Sequence, residues 1–297
     1  TDAKTKDFYA HFREDGKWIE RDDVFITFLK RHGPLTIGYG SRSCTGSEVE
    51  FGWILGDHFE EPVLLIKTAW GGHSLVKNFR PPSAPLSDGR LQKELKEAQA
   101  KVAAKNKKHN QTKPLPTMET LKASYGASYR NMLAEIERVL GNCETLFPAL
   151  KGRTPEIAGF YWFQGFNDQF GDVAPDEYAS NMQHFIKDVR KDLNAPQLPF
   201  VIAAIGTFRT SEPKGGTLGV LKGQMGMNDV PAFKGNVKAF ETAPLVDKAA
   251  DALIANWQDH FEEWQKVGSD RPYHYLGSGI WYTRIGRAAG ESMLELL

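Results

Sequence analysis

The chain has 297 residues with 37 basic and 37 acidic side chains, so its formal net charge at pH 7 is zero. Proteins that bind nucleic acid usually carry a basic excess, and the charge balance therefore argues against that class. No apolar run approaches the roughly 18–20 residues that cross a bilayer, so we expect no membrane-spanning segment. The length suits one large α/β domain or two small ones.

The sequence shows no pattern typical of a metal or cofactor site. Cys44 and Cys143 are the two cysteines, and neither belongs to a CxxC pair or a Cys/His cluster. Metalloprotease histidine spacing and glycine-rich phosphate loops are also absent from the sequence, so we predict neither a metal nor a cofactor. A disulfide between the two thiols stays open and does not decide the compartment.

The first part of the chain predicts a hairpin followed by a helix and a strand. Residues 1–22 are polar with scattered aromatics and indicate an irregular segment. Apolar runs at residues 24–28 and 35–39 flank a KRHGP turn and predict a β-hairpin. A helix is predicted over residues 51–59, and the apolar run 63–69 predicts a buried parallel strand.

Residues 77–116 are interpreted as an insertion made of a loop and a helix. Residues 77–88 are rich in Pro and Ser, and residues 91–108 are rich in Lys, Ala, Glu and Gln, which favours a weakly amphipathic helix. This helix is either a solvated arm or a lid over the site. A further helix is predicted over residues 117–140 and ends at Gly141.

Strands and helices alternate through the rest of the chain. The predicted strands cover residues 157–163, 199–206 and 236–242, and the predicted helices cover residues 175–193, 218–228, 249–267 and 278–297. This alternation predicts an α/β fold with a mainly parallel sheet and helices on both faces. We treat residues 1–297 as a single domain in which residues 1–34 hold the irregular segment and the hairpin.

The most informative segment lies at the end of the predicted strand 157–163. The apolar run stops abruptly and is followed by Gln164, Asn167 and Asp168. A buried parallel strand delivers such side chains to the carboxyl edge of a sheet, where ligands bind. Asn167 can donate its amide N–H to a developing oxyanion. Gln164 and Asp168 are candidate substrate contacts.

A candidate general base lies in residues 273–278 (YHYLGS). His274 precedes a Gly-Ser turn and a predicted helix, a position that suits a catalytic base, and the alternative is a packed or surface imidazole. Asp270 lies four residues upstream and is the candidate that orients the imidazole. Glu241 and Asp247 are weaker rivals for that role.

Two glycine-rich segments are expected to line the same cleft. Residues 40–52 hold three glycines around a helix start, where backbone N–H groups can face an anion, and Gly46 is the candidate oxyanion donor among them. Residues 70–74 (WGGHS) follow a predicted strand, and Trp70 and Gly72 are candidate substrate contacts. His73 and Ser74 form a poor base and nucleophile pair, because adjacent residues rarely point at each other.

Four segments resemble, in the same order, those of the SGNH (GDSL-like) hydrolase superfamily, specifically its sialate O-acetylesterase-like carbohydrate esterases. They are residues 46–52 (GSEVEFG), 64–72 (LLIKTAWGG), 162–168 (WFQGFND) and 273–278 (YHYLGS). The resemblance implies a flavodoxin-like three-layer sandwich and a serine esterase that removes acetyl groups from sugars without a metal. It assigns His274 as the general base and Gly46 and Asn167 as oxyanion-hole donors. It favours acetylated carbohydrates as substrates and a secreted or periplasmic location.

The sequence departs from this family at the nucleophile. The family carries it in a Gly-Gln-Ser-Asn-Met segment after the first strand, and the 297 residues contain no such segment. That strand lies between the strands predicted at residues 63–69 and 157–163, and its loss leaves unpaired backbone groups and a void. We therefore expect the segment in a separate chain or a longer precursor, and the alternative is that something else fills the slot. Many members also place the acid three residues before the histidine, whereas Asp270 lies four before His274.

Two other functions stay open at this stage. One is a non-catalytic carbohydrate-binding relative that keeps the pocket without turnover. The other is a serine esterase whose nucleophile is Ser41, Ser43, Ser47 or Ser74, although none of these follows a strand and opens a helix as a nucleophile elbow does.

Overall fold

The structure is a computed structural model that describes residues 7–171, 173–270 and 272–297. Residues 1–6 of the predicted irregular segment lie outside this part. The strands are β1 (Arg13–Glu14), β2 (Lys17–Trp18), β3 (Val24–Phe28), β4 (Arg31–Pro34), β5 (Val63–Lys67), β6 (Phe160–Trp162), β7 (Phe200–Ala204) and β8 (Val237–Glu241). The α-helices are α1 (Glu48–His58), α2 (Asp88–His109), α3 (Met118–Ser124), α4 (Ala127–Gly141), α5 (Cys143–Leu146), α6 (Ala174–Asp192), α7 (Gly215–Met225), α8 (Lys248–Leu253), α9 (Phe261–Trp264) and α10 (Gly279–Leu294).

In the described part of the chain, the main strands form two three-stranded sheets rather than one continuous sheet. In the first, β3 pairs antiparallel with β4 and parallel with β5, which gives the order β4-β3-β5. In the second, β6, β7 and β8 are all parallel and lie in that order. β5 and β6 therefore each lie at the edge of a sheet. The short strands β1 and β2 form a separate antiparallel ribbon.

Helices cover both faces of the second sheet, as the alternating sequence pattern predicted. Successive side chains of a strand point to opposite faces. Val201 of β7 accordingly packs with Phe51 of α1 and Ala289 of α10. Its neighbour Phe200 packs on the other face with Phe185 of α6. The predicted three-layer α/β fold is confirmed.

The same helices also hold the two sheets together. Leu65 of β5 packs in the cluster that contains Val201 and the residues of α1 and α10. On the opposite face, Val139 of α4 packs near Ile66 of β5, while Met132 of the same helix packs with the second sheet. Each sheet thus depends on helices that it shares with the other.

The hairpin forms in the expected region, but the position of its second strand was predicted wrongly. β4 lies inside the stretch read as a turn, and Phe28 pairs with Arg31 across a two-residue connection. This tight turn is made by Leu29, which adopts a left-handed φ of 57°. The apolar run that was predicted as the strand contributes Leu35 to the core instead.

Two predicted helices are each broken in two. The helix predicted over residues 117–140 ends as α3 and restarts as α4 at Gly126, whose φ is 65° and whose N–H donates to the carbonyl of Lys77 at 2.8 Å. The helix predicted over residues 249–267 splits into α8 and α9, with Asn256 at a φ of 52° between them. Tertiary hydrogen bonding and left-handed residues override helix propensity at both breaks. The other predicted helices and strands from residue 48 onward occur with ends shifted by at most three residues.

The helical insertion is tied down at its base. Arg90 of α2 pairs with Glu94 at 3.0 Å and with Glu177 of α6 at 2.9 Å. Arg80, which is 5% exposed, donates to the same Glu177. Residues 107–115 at the far end are exposed, as expected for a solvated arm.

Two further expectations concern the membrane and the cysteines. None of the helices in the described part of the chain is long and apolar enough to span a membrane.

Cys44 is exposed and Cys143 is buried, and both are free thiols.

The contact between α1 and α10 depends on a glycine and yields a prediction. A methyl group on Gly286 would overlap the carbonyl oxygen of Ser47 and lie 2.9 Å from Cβ of Glu50. We expect Gly286→Ala to lower the free energy of unfolding by about 1–3 kcal/mol, because neither backbone can move away freely. Gly141→Ala at the end of α4 is the matched control, since a methyl group there meets nothing within 4 Å. Urea denaturation of both variants provides the measurement, and equal stabilities would contradict this account.

Candidate functional site

Two loops meet where β5 and β6 end, and they bridge the two sheets. The amide Nδ2 of Asn167 donates to the carbonyl of Gly72 at 2.6 Å. The amide Nε2 of Gln164 donates to the carbonyl of His73 at 3.0 Å. The structure therefore brings together the segments that the sequence placed at the carboxyl edge of the sheet.

Asp168 is the centre of this junction. Its side chain is fully buried, and its two carboxylate oxygens accept the backbone N–H groups of Leu75 and Val76, both at 2.8 Å. Gln164 donates a third hydrogen bond at 2.7 Å. Burial raises the pKa of the Asp168 carboxyl, and the hydrogen bonds oppose that rise. Both oxygens point into the protein, so this carboxylate orders the loops, and the predicted substrate contact stays a prediction.

A buried polar network fixes the end of β6. Oε1 of Gln164 accepts from the hydroxyl of Tyr178 at 3.2 Å, and Nε1 of Trp162 donates to that hydroxyl at 3.1 Å. Gln224 of α7, which is fully buried, donates to the carbonyl of Gln164 at 2.6 Å. Gln224 was not predicted as a site residue, because nothing in its local pattern separates it from an ordinary helical glutamine.

Trp70 and His73 pack beside the same junction. The ring of Trp70 is half-buried and lies 6.1 Å from the ring of His73 in a stacked arrangement. Nδ1 of His73 contacts Oγ of Ser128 at 2.7 Å. Oγ of Ser74 donates instead to Asn78 at 3.2 Å. His73 and Ser74 therefore have separate hydrogen-bond partners, which agrees with the expectation that they form a poor base and nucleophile pair.

The loop of Gly46 is held by a carboxylate that the sequence analysis did not single out. The Gly46 N–H donates to Oε1 of Glu48 at 2.9 Å, and Oε2 of Glu48 pairs with Nζ of Lys67 at 2.9 Å. Glu48 opens α1, where the helix dipole favours negative charge. Gly46 can serve as an oxyanion donor only when the Glu48 carboxylate turns away. The position of Glu48 in the segment that resembles the esterases was the available signal.

His274 is followed by a strained turn. Tyr275, Leu276 and Gly277 have φ values of 50°, 59° and 63°. A left-handed conformation costs each non-glycine residue roughly 1–3 kcal/mol, and such strain clusters at functional sites. Leu276 is 2% exposed, so core packing offsets the strain, whereas the His274 side chain is exposed.

Tyrosines join this turn to the end of β6. The ring of Tyr275 lies 5.1 Å from the ring of Phe163, the residue before Gln164. The hydroxyl of Tyr282 donates to the carbonyl of His274 at 3.3 Å. Burial raises the pKa of Tyr282, and Tyr275 and Glu48 contribute to the rise, so the donor hydroxyl stays protonated. The turn of His274 thus packs against the loop that carries Asn167.

The three acidic side chains considered as partners of His274 lie in different surroundings. Asp270 is exposed, and residue 271 beside it lies outside the described residues, so its role stays a prediction. Asp247 is buried, caps α8 through Oδ1 and accepts from Oγ of Ser278 at 2.7 Å. Glu241 is exposed at the end of β8.

The described residues include no group of three or more His, Cys, Asp and Glu side chains arranged to hold a metal ion.

The fold and the junction together define an α/β protein with a candidate ligand cleft at the carboxyl edge of its parallel strands. Residues 23–248 match the family described as carbohydrate esterase, sialic acid-specific acetylesterase. This match covers most of the chain, and the chain therefore belongs to that family of carbohydrate esterases.

An Arabidopsis thaliana protein is similar to this chain in both sequence and structure. A probable carbohydrate esterase of this plant is 38% identical over 52 residues, which are 18% of this chain and 20% of the plant protein. The matched stretch thus spans about a fifth of that relative. Its X-ray structure superimposes with a TM-score of 0.53 and 15% identity, over 94% of this chain and 88% of the other. At this identity the similarity concerns the fold.

The role given to Asp168 predicts a loss of stability in Asp168→Asn. The amide replaces one accepting oxygen with an NH2 group that faces an N–H donor, and an unsatisfied buried group costs about 1–3 kcal/mol. Urea denaturation should show a loss of this size. Asp229→Asn, at an exposed position, is the control and should stay within about 0.5 kcal/mol of the parent. A fully stable Asp168→Asn protein would show that the carboxylate does not hold the loops.

Proposed function

We propose that this chain supplies the general base and the oxyanion donors of a serine esterase that hydrolyses acetyl esters on sugars. A serine hydroxyl attacks the acetyl carbonyl while His274 accepts its proton. The tetrahedral oxyanion is stabilised by Asn167 and Gly46. The sugar hydroxyl leaves with the proton from His274, and a water activated by the same histidine then releases acetate.

The observation that carries this proposal is the contact between two loops. The strained turn that follows His274 packs through Tyr275 on Phe163, which lies four residues before Asn167. A base and an oxyanion donor must both lie near the reacting carbonyl, and this packing supports such an arrangement. Membership of a carbohydrate esterase family supports the reaction class.

Asn167 retains capacity to act as an oxyanion donor. Its Nδ2 already donates one hydrogen to Gly72. A primary amide has two N–H donors, so a second remains for the oxyanion. The first hydrogen bond holds the amide in place, and a fixed donor costs little reorganisation during the reaction.

We infer that the nucleophilic serine comes with a strand that inserts between β5 and β6. Both strands lie at sheet edges, and both sheets share the helices that cover them. An unpaired edge presents a row of N–H and C=O groups that another strand can satisfy. The loops of Gly72 and Asn167 meet at the carboxyl ends of these strands. A parallel strand in this gap would deliver its next residue beneath them.

Several serines inside the chain have other contacts. Oγ of Ser47 lies 3.0 Å from the hydroxyl of Tyr161, and Ser47 is 6% exposed. Ser128, the partner of His73, is 2% exposed and closed to a substrate. Oγ of Ser83 lies 2.7 Å from Nδ1 of His184 at an exposed position, so it is the rival pair that an experiment must separate.

One contact favours a second candidate function, a carbohydrate-binding protein without turnover. The Gly46 N–H is occupied by Glu48 in this structure. If the carboxylate stays there during substrate binding, only Asn167 remains to stabilise the oxyanion, and acyl transfer slows.

The esterase proposal predicts that a fluorophosphonate probe labels one serine of the purified natural protein. We expect the adduct, mapped by peptide mass spectrometry, on a serine that lies outside these 297 residues. His274→Ala should abolish labelling and lower kcat/KM for p-nitrophenyl acetate at least about a hundredfold, since it removes the base. His109→Ala, exposed at the end of α2, is the matched control and should change neither.

Two results would contradict the esterase assignment as stated. A label on Ser83, or on another serine of these 297 residues, would move the nucleophile and show that our assignment is wrong. Folded protein without any label or turnover would favour the binding function.

The inserted strand predicts a specific pattern of hydrogen exchange. Successive N–H groups of a strand point alternately to its two sides. With the gap filled, every amide of β5 and β6 should exchange as slowly as those of β7, the central and fully buried strand. Hydrogen exchange of the natural protein, resolved by residue, measures this. Alternating fast and slow amides in β5 and β6 would mean that the edges are open.

A further inference from the structure

Phe166 and Phe170 form an exposed aromatic pair beside the candidate site. They are 39% and 60% exposed, their ring centroids lie 5.4 Å apart and their planes meet at 77°. Single exposed apolar side chains are common on proteins, but adjoining rings held outside the core are typical of a binding surface. Phe166 is the immediate neighbour of Asn167. Along the chain, Phe166 therefore lies one residue and Phe170 three residues from the proposed oxyanion donor.

We propose that Phe166 and Phe170 bind a neutral pyranose ring of the carbohydrate next to the ester that reacts. This inference rests on the proposed esterase function and adds a sugar-binding subsite to it. The C–H face of a pyranose is apolar, and it removes aromatic surface from water when it stacks on a ring.

The two rings are mounted on a rigid turn. Phe166–Gln169 is a 3-10 helix whose Asn167 and Asp168 side chains are hydrogen-bonded to the loop of Gly72 and Leu75. Oε1 of Gln169 accepts from Oγ1 of Thr217 at 2.6 Å. A surface that is already ordered loses little conformational entropy when a ligand binds. The turn is thus suited to hold a small ligand at a fixed position relative to Asn167.

The turn also needs its preceding glycine. Gly165 has a φ of 158°, and a methyl group on it would lie 3.0 Å from Nε2 of Gln224 and 3.1 Å from Cγ1 of Val220. This close approach to α7 sets the direction in which the turn leaves β6.

The size of the surface decides between a sugar and a protein partner. Together the two rings expose about as much area as one fully exposed phenylalanine, or roughly 200 Å². A stable protein–protein interface needs about 800 Å² from each partner. One or two sugar rings match the smaller area. The zero net charge of the chain fits a neutral sugar as well.

Direct binding tests this subsite without depending on turnover. The probes are xylohexaose and cellohexaose, titrated by calorimetry into the intact natural protein. We expect Phe166→Ala together with Phe170→Ala to raise the Kd for the hexasaccharide that binds by tenfold or more. Phe166→Trp should retain affinity, because it keeps an aromatic face. Phe261→Ala, an exposed phenylalanine of α9, is the matched control and should leave the Kd unchanged.

Kinetics separate the subsite from the chemistry. The double variant should raise KM for an acetylated xylo-oligosaccharide while kcat/KM for p-nitrophenyl acetate, which has no sugar, stays within twofold. An unchanged Kd in the double variant, or no binding of either hexasaccharide by the parent protein, would overturn the subsite even if the esterase function stands. A change in sedimentation without a change in Kd would also overturn it and assign the rings to contact with a second copy. If the protein binds sugar through these rings but shows no turnover, the esterase proposal alone would be contradicted.

Discussion

The buried carboxylate of Asp168 is the constraint on which the candidate site depends. It accepts two backbone N–H groups of the loop after β5 while its own residue belongs to the loop after β6. These strands lie at the edges of different sheets, so the carboxylate joins the two halves of the protein at the point where their carboxyl ends meet. This junction positions the nearby side chains of the candidate site, which are Gln164, Phe166, Asn167 and Phe170. Removing a partner from a buried charged group is far more costly than losing a surface contact, which makes the junction a fixed point.

The divided sheet and the strained turn after His274 are explained by the same proposed chemistry. Shared helices pack on β5 and β6, which both lie at sheet edges. The proposed inserted strand would satisfy both edges and bring a nucleophile to the carboxyl end. The left-handed backbone at Tyr275 and Leu276 is unfavourable, and the burial of Leu276 in the core offsets its cost. Glu48 links these parts, because its carboxylate holds the Gly46 N–H and also influences the pKa of Tyr282, the donor to the His274 carbonyl.

Local patterns predicted the elements well where one sequence signal dominated. β7 is a continuous apolar run, which is typical of a strand buried on both faces, and it was predicted to within two residues. α6 combines helical periodicity with a proline in its first turn and was predicted to within one residue. The helices predicted over residues 117–140 and 249–267 were broken by tertiary features, among them the Gly126 N–H that donates to Lys77. β4 was misplaced, because the turn at Leu29 uses a left-handed residue that carries no glycine or asparagine signal.

The sequence by itself determined the α/β class, the segments that line the carboxyl edge and the resemblance to carbohydrate esterases, because periodicity and short motifs are local properties of a chain. Only the tertiary structure decided that Asp168 faces the backbone of Leu75 and Val76, that Glu48 occupies the Gly46 N–H, and that the sheet is divided between β5 and β6. It also decided that Phe166 and Phe170 lie outside the core. The contacts of Asp168 join residues that are 92 and 93 positions apart, and such contacts exist only once the helices and sheets have packed.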